Sequence, residues 1–354
     1  MPVLEQLWAS RRLTNDGPLH QQLEAALCEV LDVPEVALFC NGTLALLAAL
    51  RALDLHDGEV ITTPFTFVAT THALRWAGLT PVFADIDPDT LTLDPARVAE
   101  ALTPRTCGLL PVHVYGLPCD TAALDALAAE RGLKVLYDAA HAFGVRLPGL
   151  LRAGDLSVLS LHATKVFHTF EGGAVVCPDA AWKRRLQQVR NFGFVNETTV
   201  DTVGINGKLN ELQAAVGLAQ LPHLAGWTAR RAAIDRRYRQ GLAGLDGLAP
   251  LPLPHPEQHN FGYFPLRVQP HFGCSRDALV QRLKARGIFA RRYFHPLTSR
   301  FPMYADLPSA APHRLPVATR VAEEIVCLPI YAGLTDADVD RVLQGLRDIQ
   351  RTGC

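Results

Sequence analysis

From Gln21 onward the chain alternates between two hydrophobic periods. Segments with apolar positions three and four apart read as amphipathic helices, and short unbroken apolar runs read as buried strands. Gln21–Leu31 reads as the first such helix, Val36–Cys40 as a strand, and the Ala/Leu-rich run Leu44–Leu53 as a helix again. The alternation continues to about Gly193, with a helix at Thr121–Arg131 feeding a strand at Leu133–Tyr137. Such repetition predicts an α/β fold, a mostly parallel sheet with helices on both faces. Residues up to about Leu13 show few periodic positions and read as an extended arm. A long helical stretch then runs from Asn210 to Leu242, and Pro-Leu-Pro-Leu-Pro-His-Pro at 250–256 breaks it. Beyond lie a strand at Phe261–Val268 and helices at Ser275–Arg286 and Asp336–Arg351. The predicted organisation is a large domain at 1–245 and a smaller α+β domain at 246–354.

Three polar interruptions of this pattern carry the chemistry. Asp138 ends the apolar run before Ala139-Ala140-His141, at the carboxyl end of a predicted strand, where open α/β sheets place their ligands. The competing reading is a helix N-cap. Asn41-Gly42-Thr43 separates a strand from a helix, so glycine and free amides there suit an anion such as phosphate. The alternative is an ordinary turn with a threonine cap. Lys165 closes Ser160-Leu161-His162-Ala163-Thr164-Lys165, just ahead of Glu171-Gly172-Gly173. A lysine amine condenses reversibly with an aldehyde, and pyridoxal phosphate is the commonest aldehyde that proteins hold this way. Most lysines are solvated surface charges, and the upstream acid is what sets this one apart.

With these residues, further motifs stand in order along nearly the whole chain. They are Thr63-Pro64-Phe65-Thr66-Phe67, Pro81-Val82-Phe83-Ala84-Asp85, Pro111-Val112-His113-Val114-Tyr115-Gly116, Arg190-Asn191-Phe192-Gly193 and Gly204-Ile205-Asn206-Gly207-Lys208. The set resembles the DegT/StrS-type sugar-nucleotide aminotransferases, pyridoxal-phosphate enzymes of fold type I. That resemblance implies a large domain built on a mixed, mostly parallel seven-stranded sheet, with a smaller C-terminal domain. It makes Lys165 the Schiff-base lysine and proton shuttle, Asp138 the partner of the pyridine nitrogen, and His141 a neighbour of the ring. Phe67 takes the position that stacks on the pyridine face, while Gly42, Thr43 and Ser160 hold the phosphate. Asn206 matches a residue that reaches the neighbouring subunit's phosphate, which implies a homodimer with shared active sites. Glu171, Arg190, Lys208, Arg291, Tyr293 and His295 are the implied substrate contacts. Many members have glutamate where this chain has Tyr137, and serine where it has Asn41; both positions flank the chemistry.

The His-Ala-Thr-Lys and Glu-Gly-Gly forms are similar to those of members acting at C4 of a 4-keto-6-deoxy sugar. The implied reaction moves an amine from L-glutamate to a nucleotide-diphosphate keto sugar, dTDP-4-dehydro-6-deoxy-D-glucose. Three alternatives stand beside it: amination at C3, a different cyclic ketone, and a non-catalytic cofactor-binding regulator.

Composition changes this picture only at the margins. The 354 residues carry a net charge of −1, so no basic field points to nucleic acid or a membrane surface. A hydrophobic share of 49% against 19% charged residues fits a sizeable subunit interface. The eight cysteines show no C-x-x-C pair and read as reduced thiols, with no metal site. No stretch approaches a membrane-spanning length or a secretory leader, so the expected location is the cytoplasm.

Overall fold

The computed structural model describes residues 2–353. The first half of the chain builds one seven-stranded sheet from β1 (Glu35–Phe39), β2 (Glu59–Thr62), β3 (Thr80–Phe83), β4 (Thr106–Leu110), β5 (Lys134–Asp138), β6 (Leu156–Ser160) and β7 (Gly173–Cys177). Their spatial order is β1-β7-β6-β5-β4-β2-β3. All run parallel except β7, which pairs antiparallel with both β1 and β6. Helices α1 (Pro2–Ser10) and α2 (Pro18–Leu31) precede the sheet, α3 (Gly42–Ala52), α4 (Val68–Trp76), α5 (Pro95–Ala101) and α6 (Thr121–Arg131) connect its strands from β1 to β5, and α7 (Ala180–Arg190) follows β7. Because helices cover both faces, the strands are buried on both sides, which is why they read as continuous apolar runs. Val158 and Val175 pack into one core with α3, while Leu159 and Val176 pack into the other with α2.

Two stretches differ from the sequence-based expectation. The N-terminal segment is a helix rather than an extended arm: Leu7 is buried, and Leu4 and Trp8 face outward. The predicted long helix from 210 to 242 is two, α8 (Glu211–Gln220) and α9 (Leu224–Leu242). Pro222 stands between them and cannot donate the hydrogen bond that continuity needs.

The C-terminal part holds an antiparallel three-stranded sheet of β8 (Leu248–Pro250), β9 (Phe264–Val268) and β10 (Ile325–Leu328), in the order β10-β9-β8. It packs with α10 (Arg276–Ala285), α11 (Pro316–Glu324) and α12 (Asp336–Thr352). Ile234, Tyr238 and Leu242 of α9 belong to this second core, so the helix ties the two parts together. Cys274 is disulfide-bonded, against the expectation of eight reduced thiols; Cys28, Cys40, Cys107, Cys119, Cys177 and Cys327 are free. Among the described residues no helix is long and apolar enough to cross a membrane.

Candidate active site

The carboxyl ends of β1, β5 and β6 open onto a cavity of about 280 Å³. Its walls include Gly42, Thr43, Phe67, Asp138, His141, Ser160, Lys165, Glu171 and Tyr293. Sheet topology brings all but Tyr293 together, since every parallel strand delivers its following loop to the same edge, and Tyr293 comes from the C-terminal part.

At one end lies the turn after β1. Asn41, not Thr43, caps α3: its Oδ1 accepts the Leu44 N–H at 2.8 Å. The N–H groups of Gly42 and Thr43, in the first turn, have no helical acceptor four residues back. A Cβ on Gly42 would stand 3.3 Å from the Cβ of Ser160, so the bare backbone keeps this corner open. Gly173 serves the same corner from beneath. A Cβ there would lie 2.5 Å from the Asn41 carbonyl oxygen, so only glycine lets β7 start under the turn. This is the structural content of the Gly172-Gly173 pair.

At the opposite end Asp138 is 5% exposed and no helix follows it. Its Oδ2 accepts the Thr70 hydroxyl at 2.8 Å and its Oδ1 the Ala140 N–H at 3.0 Å. Thr66 and Thr70 share a further hydrogen bond of 2.9 Å. Burial raises the Asp138 pKa above the ordinary carboxylate range, against the pull of Thr70, Ala140 and Lys165. Lys165 sits in the turn after β6, and its Nζ donates to the Tyr263 hydroxyl at 3.2 Å. Burial lowers its pKa from 10.5 to about 8, while the Asp138 carboxylate pulls it back up. Amine and acid therefore face each other in a poorly hydrated space, each with its charged form disfavoured by burial.

His141 is held as a neutral ring. Its Nδ1 accepts the Tyr115 N–H at 3.0 Å, which leaves the proton on Nε2. Burial, and secondarily Lys165, keeps its pKa well below the usual histidine value. Asn260 fixes the segment from behind by donating to the carbonyls of His141 and Phe143 at 2.7 and 2.8 Å. Phe67 is 59% exposed on the cavity wall. A large aromatic held this open beside a cleft is unusual for packing alone. The Tyr115 hydroxyl donates to the Tyr293 carbonyl, joining the two parts of the chain over the cavity.

The other expected substrate contacts separate. Glu171 is on the wall and exposed, 3.6 Å from His162 Nε2. Arg291 lines a second cavity, of about 760 Å³, which adjoins the first at Thr164 and Lys165. His295 is exposed and outside both. Lys208 donates to the Asn191 side chain at 2.9 Å and lies 4.8 Å from the Phe192 ring centre, away from the cavity. Asn206 is exposed and also lies off the cavity wall, bridged through its backbone to Asn191.

Arg190 is a correction. It is 1% exposed, and its guanidinium donates to Glu24 at 2.8 Å, to the Leu38 carbonyl at 2.8 Å and to Asp16 at 2.7 Å. With those partners it ties β1 to α2 and has no free face for a substrate. Tyr263 and Thr70 are what sequence reasoning missed. Thr70 lies three residues beyond the Thr63–Phe67 motif and carries no signal of its own, and Tyr263 is one apolar-looking position of a predicted strand.

Residues 1–347 match the DegT/DnrJ/EryC1/StrS aminotransferase family. A relative from Escherichia coli, dTDP-4-amino-4,6-dideoxy-D-glucose transaminase, is 45% identical over 345 residues, covering 97% of this chain and 93% of the relative. The crystal structure of DesI in the presence of its TDP-sugar product is 38% identical, with a TM-score of 0.93 over 99% of this chain and 89% of that one. NtdA from Bacillus subtilis with bound cofactor PMP is 29% identical, with a TM-score of 0.90 over 99% and 81%. An amine, a buried acid and an anion-ready helix start, set around one cavity in a chain with these relatives, lead to one conclusion: the chain belongs to the DegT/DnrJ/EryC1/StrS aminotransferase family and is a pyridoxal-phosphate-dependent sugar aminotransferase.

Proposed function

We propose that this enzyme transfers the amino group of L-glutamate to C4 of dTDP-4-dehydro-6-deoxy-D-glucose, making a 4-amino-4,6-dideoxy sugar nucleotide and 2-oxoglutarate. The observation that carries the chemistry is the convergence of Lys165 and Asp138 on one cavity whose far corner is the start of α3. The acceptor rests on 45% identity, over nearly the whole length, to a transaminase named for that product. The working form is a cytoplasmic homodimer, in which Asn206, exposed and off its own cavity, completes the partner's site.

The residues present fit the cofactor. Gly42, Thr43 and Ser160 would hold its phosphate, Asp138 its ring nitrogen and Lys165 its aldehyde carbon, with Phe67 and His141 against the ring. When bound, pyridoxal phosphate supplies the electron sink for the charge left as a proton departs from the amine-bearing carbon. Thr70 and the Ala140 N–H orient the Asp138 carboxylate, so its charge is aimed before any substrate arrives. Lys165, with its pKa lowered to about 8, carries a neutral amine often enough near neutrality to accept that proton and return it. Neutral His141 offers an Nε2–H donor and a flat face without adding charge.

The test is the absorption spectrum of the loaded enzyme through one cycle. L-Glutamate should bleach the cofactor's visible band, and dTDP-4-dehydro-6-deoxy-D-glucose should restore it with formation of the 4-amino sugar. Bleaching without recovery would discard the acceptor, and recovery only with a 3-keto sugar nucleotide would move the reaction to C3.

A further inference from the structure

The second cavity, which shares Thr164 and Lys165 with the first, is walled by α9, the 287–291 segment, the 329–334 loop and the start of α12. Three guanidinium groups line it, those of Arg231, Arg291 and Arg341, together with Trp227 and Tyr331. Arg231 stands apart from the other two. It is only 8% exposed, yet among the described residues it has no carboxylate partner. One Nη1–H donates to the Ile330 carbonyl at 3.0 Å, and the buried Nε–H has no acceptor. Arg190 also has a buried Nε–H without an acceptor, so the contrast within this fold lies in the counter-charge. Buried Arg190 is paired with Glu24 and Asp16, and buried Arg276 with Asp277. Asp338, the acid on this wall, is engaged with Thr335 in the cap of α12. A buried cation that faces an open cavity without a counter-charge is stabilised when an anion enters.

The place of Arg231 narrows the choice of anion. Arg231 and Lys165 line the same cavity, and Lys165 Nζ donates to the Tyr263 hydroxyl at 3.2 Å. The cation and the reacting lysine therefore share one space. In an α-amino acid the carboxylate is bonded to the same carbon as the amine, so whatever recognises it must stand close to Lys165. In a 4-keto hexose the diphosphate sits on C1, across the ring from the reacting carbonyl. A planar fork also matches a carboxylate in two parallel hydrogen bonds.

We propose that this cavity is the recognition site for the amino donor, with Arg231 pairing a carboxylate of the amino acid. The inference rests on the aminotransferase reading above and names the residue that selects its donor. Arg291 and Arg341, both exposed, lie on the open side of the same cavity and add positive potential at its mouth.

The experiment is calorimetric titration of glutarate, a dicarboxylate with no amine to transfer, into the cofactor-loaded enzyme. Parallel titrations with dTDP separate the two possible anions. Wild type should bind glutarate, and Arg231→Gln should weaken it by about 10- to 100-fold while changing dTDP affinity far less. Arg231→Lys should restore only part, since an ammonium lacks the planar fork. Absence of glutarate binding to wild type, or the same affinity in both variants, overturns the proposal. A loss confined to dTDP overturns it too, and assigns the cavity to the diphosphate. If Arg231→Gln does not fold, Arg231→Lys decides alone, and a change below about twofold overturns the proposal. Arg231-dependent glutarate binding in an enzyme that aminates no 4-keto sugar leaves this inference standing and removes only the acceptor.

Discussion

Stripped of cofactor, the enzyme should recapture pyridoxal phosphate at a rate set by how often Lys165 carries a neutral amine. Burial moves that pKa from 10.5 to about 8, opposed by the Asp138 carboxylate. At pH 7 the neutral fraction is then about one in eleven, against about one in three thousand for an unperturbed lysine. The difference corresponds to roughly 3 kcal/mol between the two protonation states. Stopped-flow absorbance from pH 6.5 to 10 should show capture rising about fivefold between pH 7 and 8, and less than twofold between pH 8 and 9. Asp138→Asn removes the charge that holds the amine protonated, so its midpoint should fall to lower pH. The same lowered pKa has a stability consequence. Between about pH 8 and 10.5 the unfolded chain binds a proton that the folded one has released, so stability of the stripped enzyme rises with pH across that window. A capture rate climbing tenfold per pH unit to pH 10, or a midpoint moved upward by Asp138→Asn, would refute the reasoning.

The remaining expectations concern the acid, the phosphate corner and the corrected arginine. Asp138→Ala should still bind cofactor but slow the glutamate half-reaction by about 100-fold or more, measured as single-turnover bleaching; a rate within tenfold of wild type would remove its assigned role. Gly173→Ala forces a methyl to within 2.5 Å of the Asn41 carbonyl and should cost about 1–3 kcal/mol in denaturant unfolding while weakening cofactor retention. Arg190→Met leaves Glu24 buried without its guanidinium and should destabilise the fold by about 3–5 kcal/mol, with little change in substrate KM in whatever protein folds. An unchanged melting temperature together with a raised KM would restore Arg190 to the substrate.

The local devices of this site were legible in the sequence because each is a break in a periodic pattern. Asp138 ends an apolar run, the Asn41–Thr43 turn divides a strand from a helix, and Lys165 follows a polar turn with two glycines behind it. Strand-helix alternation likewise determined a parallel sheet, and therefore that all these turns gather at one edge. Tertiary structure alone decided what each group meets there. Thr70, 68 residues from Asp138, aims the acid, and Tyr263, 98 residues from Lys165, receives the amine. Arg190 reads as a substrate contact because it opens the Arg190-Asn191-Phe192-Gly193 motif, and a motif shows a residue without its partners. Its partner Glu24 is 166 residues away, and only folding turns that separation into a buried ion pair. Arg231 is the converse case, one of several arginines along a polar helix until packing buries it without an acid. Periodicity records which side of an element faces the core, because burial acts on each residue singly. Charge pairing, hydrogen-bond direction and pKa depend on distances between segments remote in sequence, and those distances exist only in the folded chain.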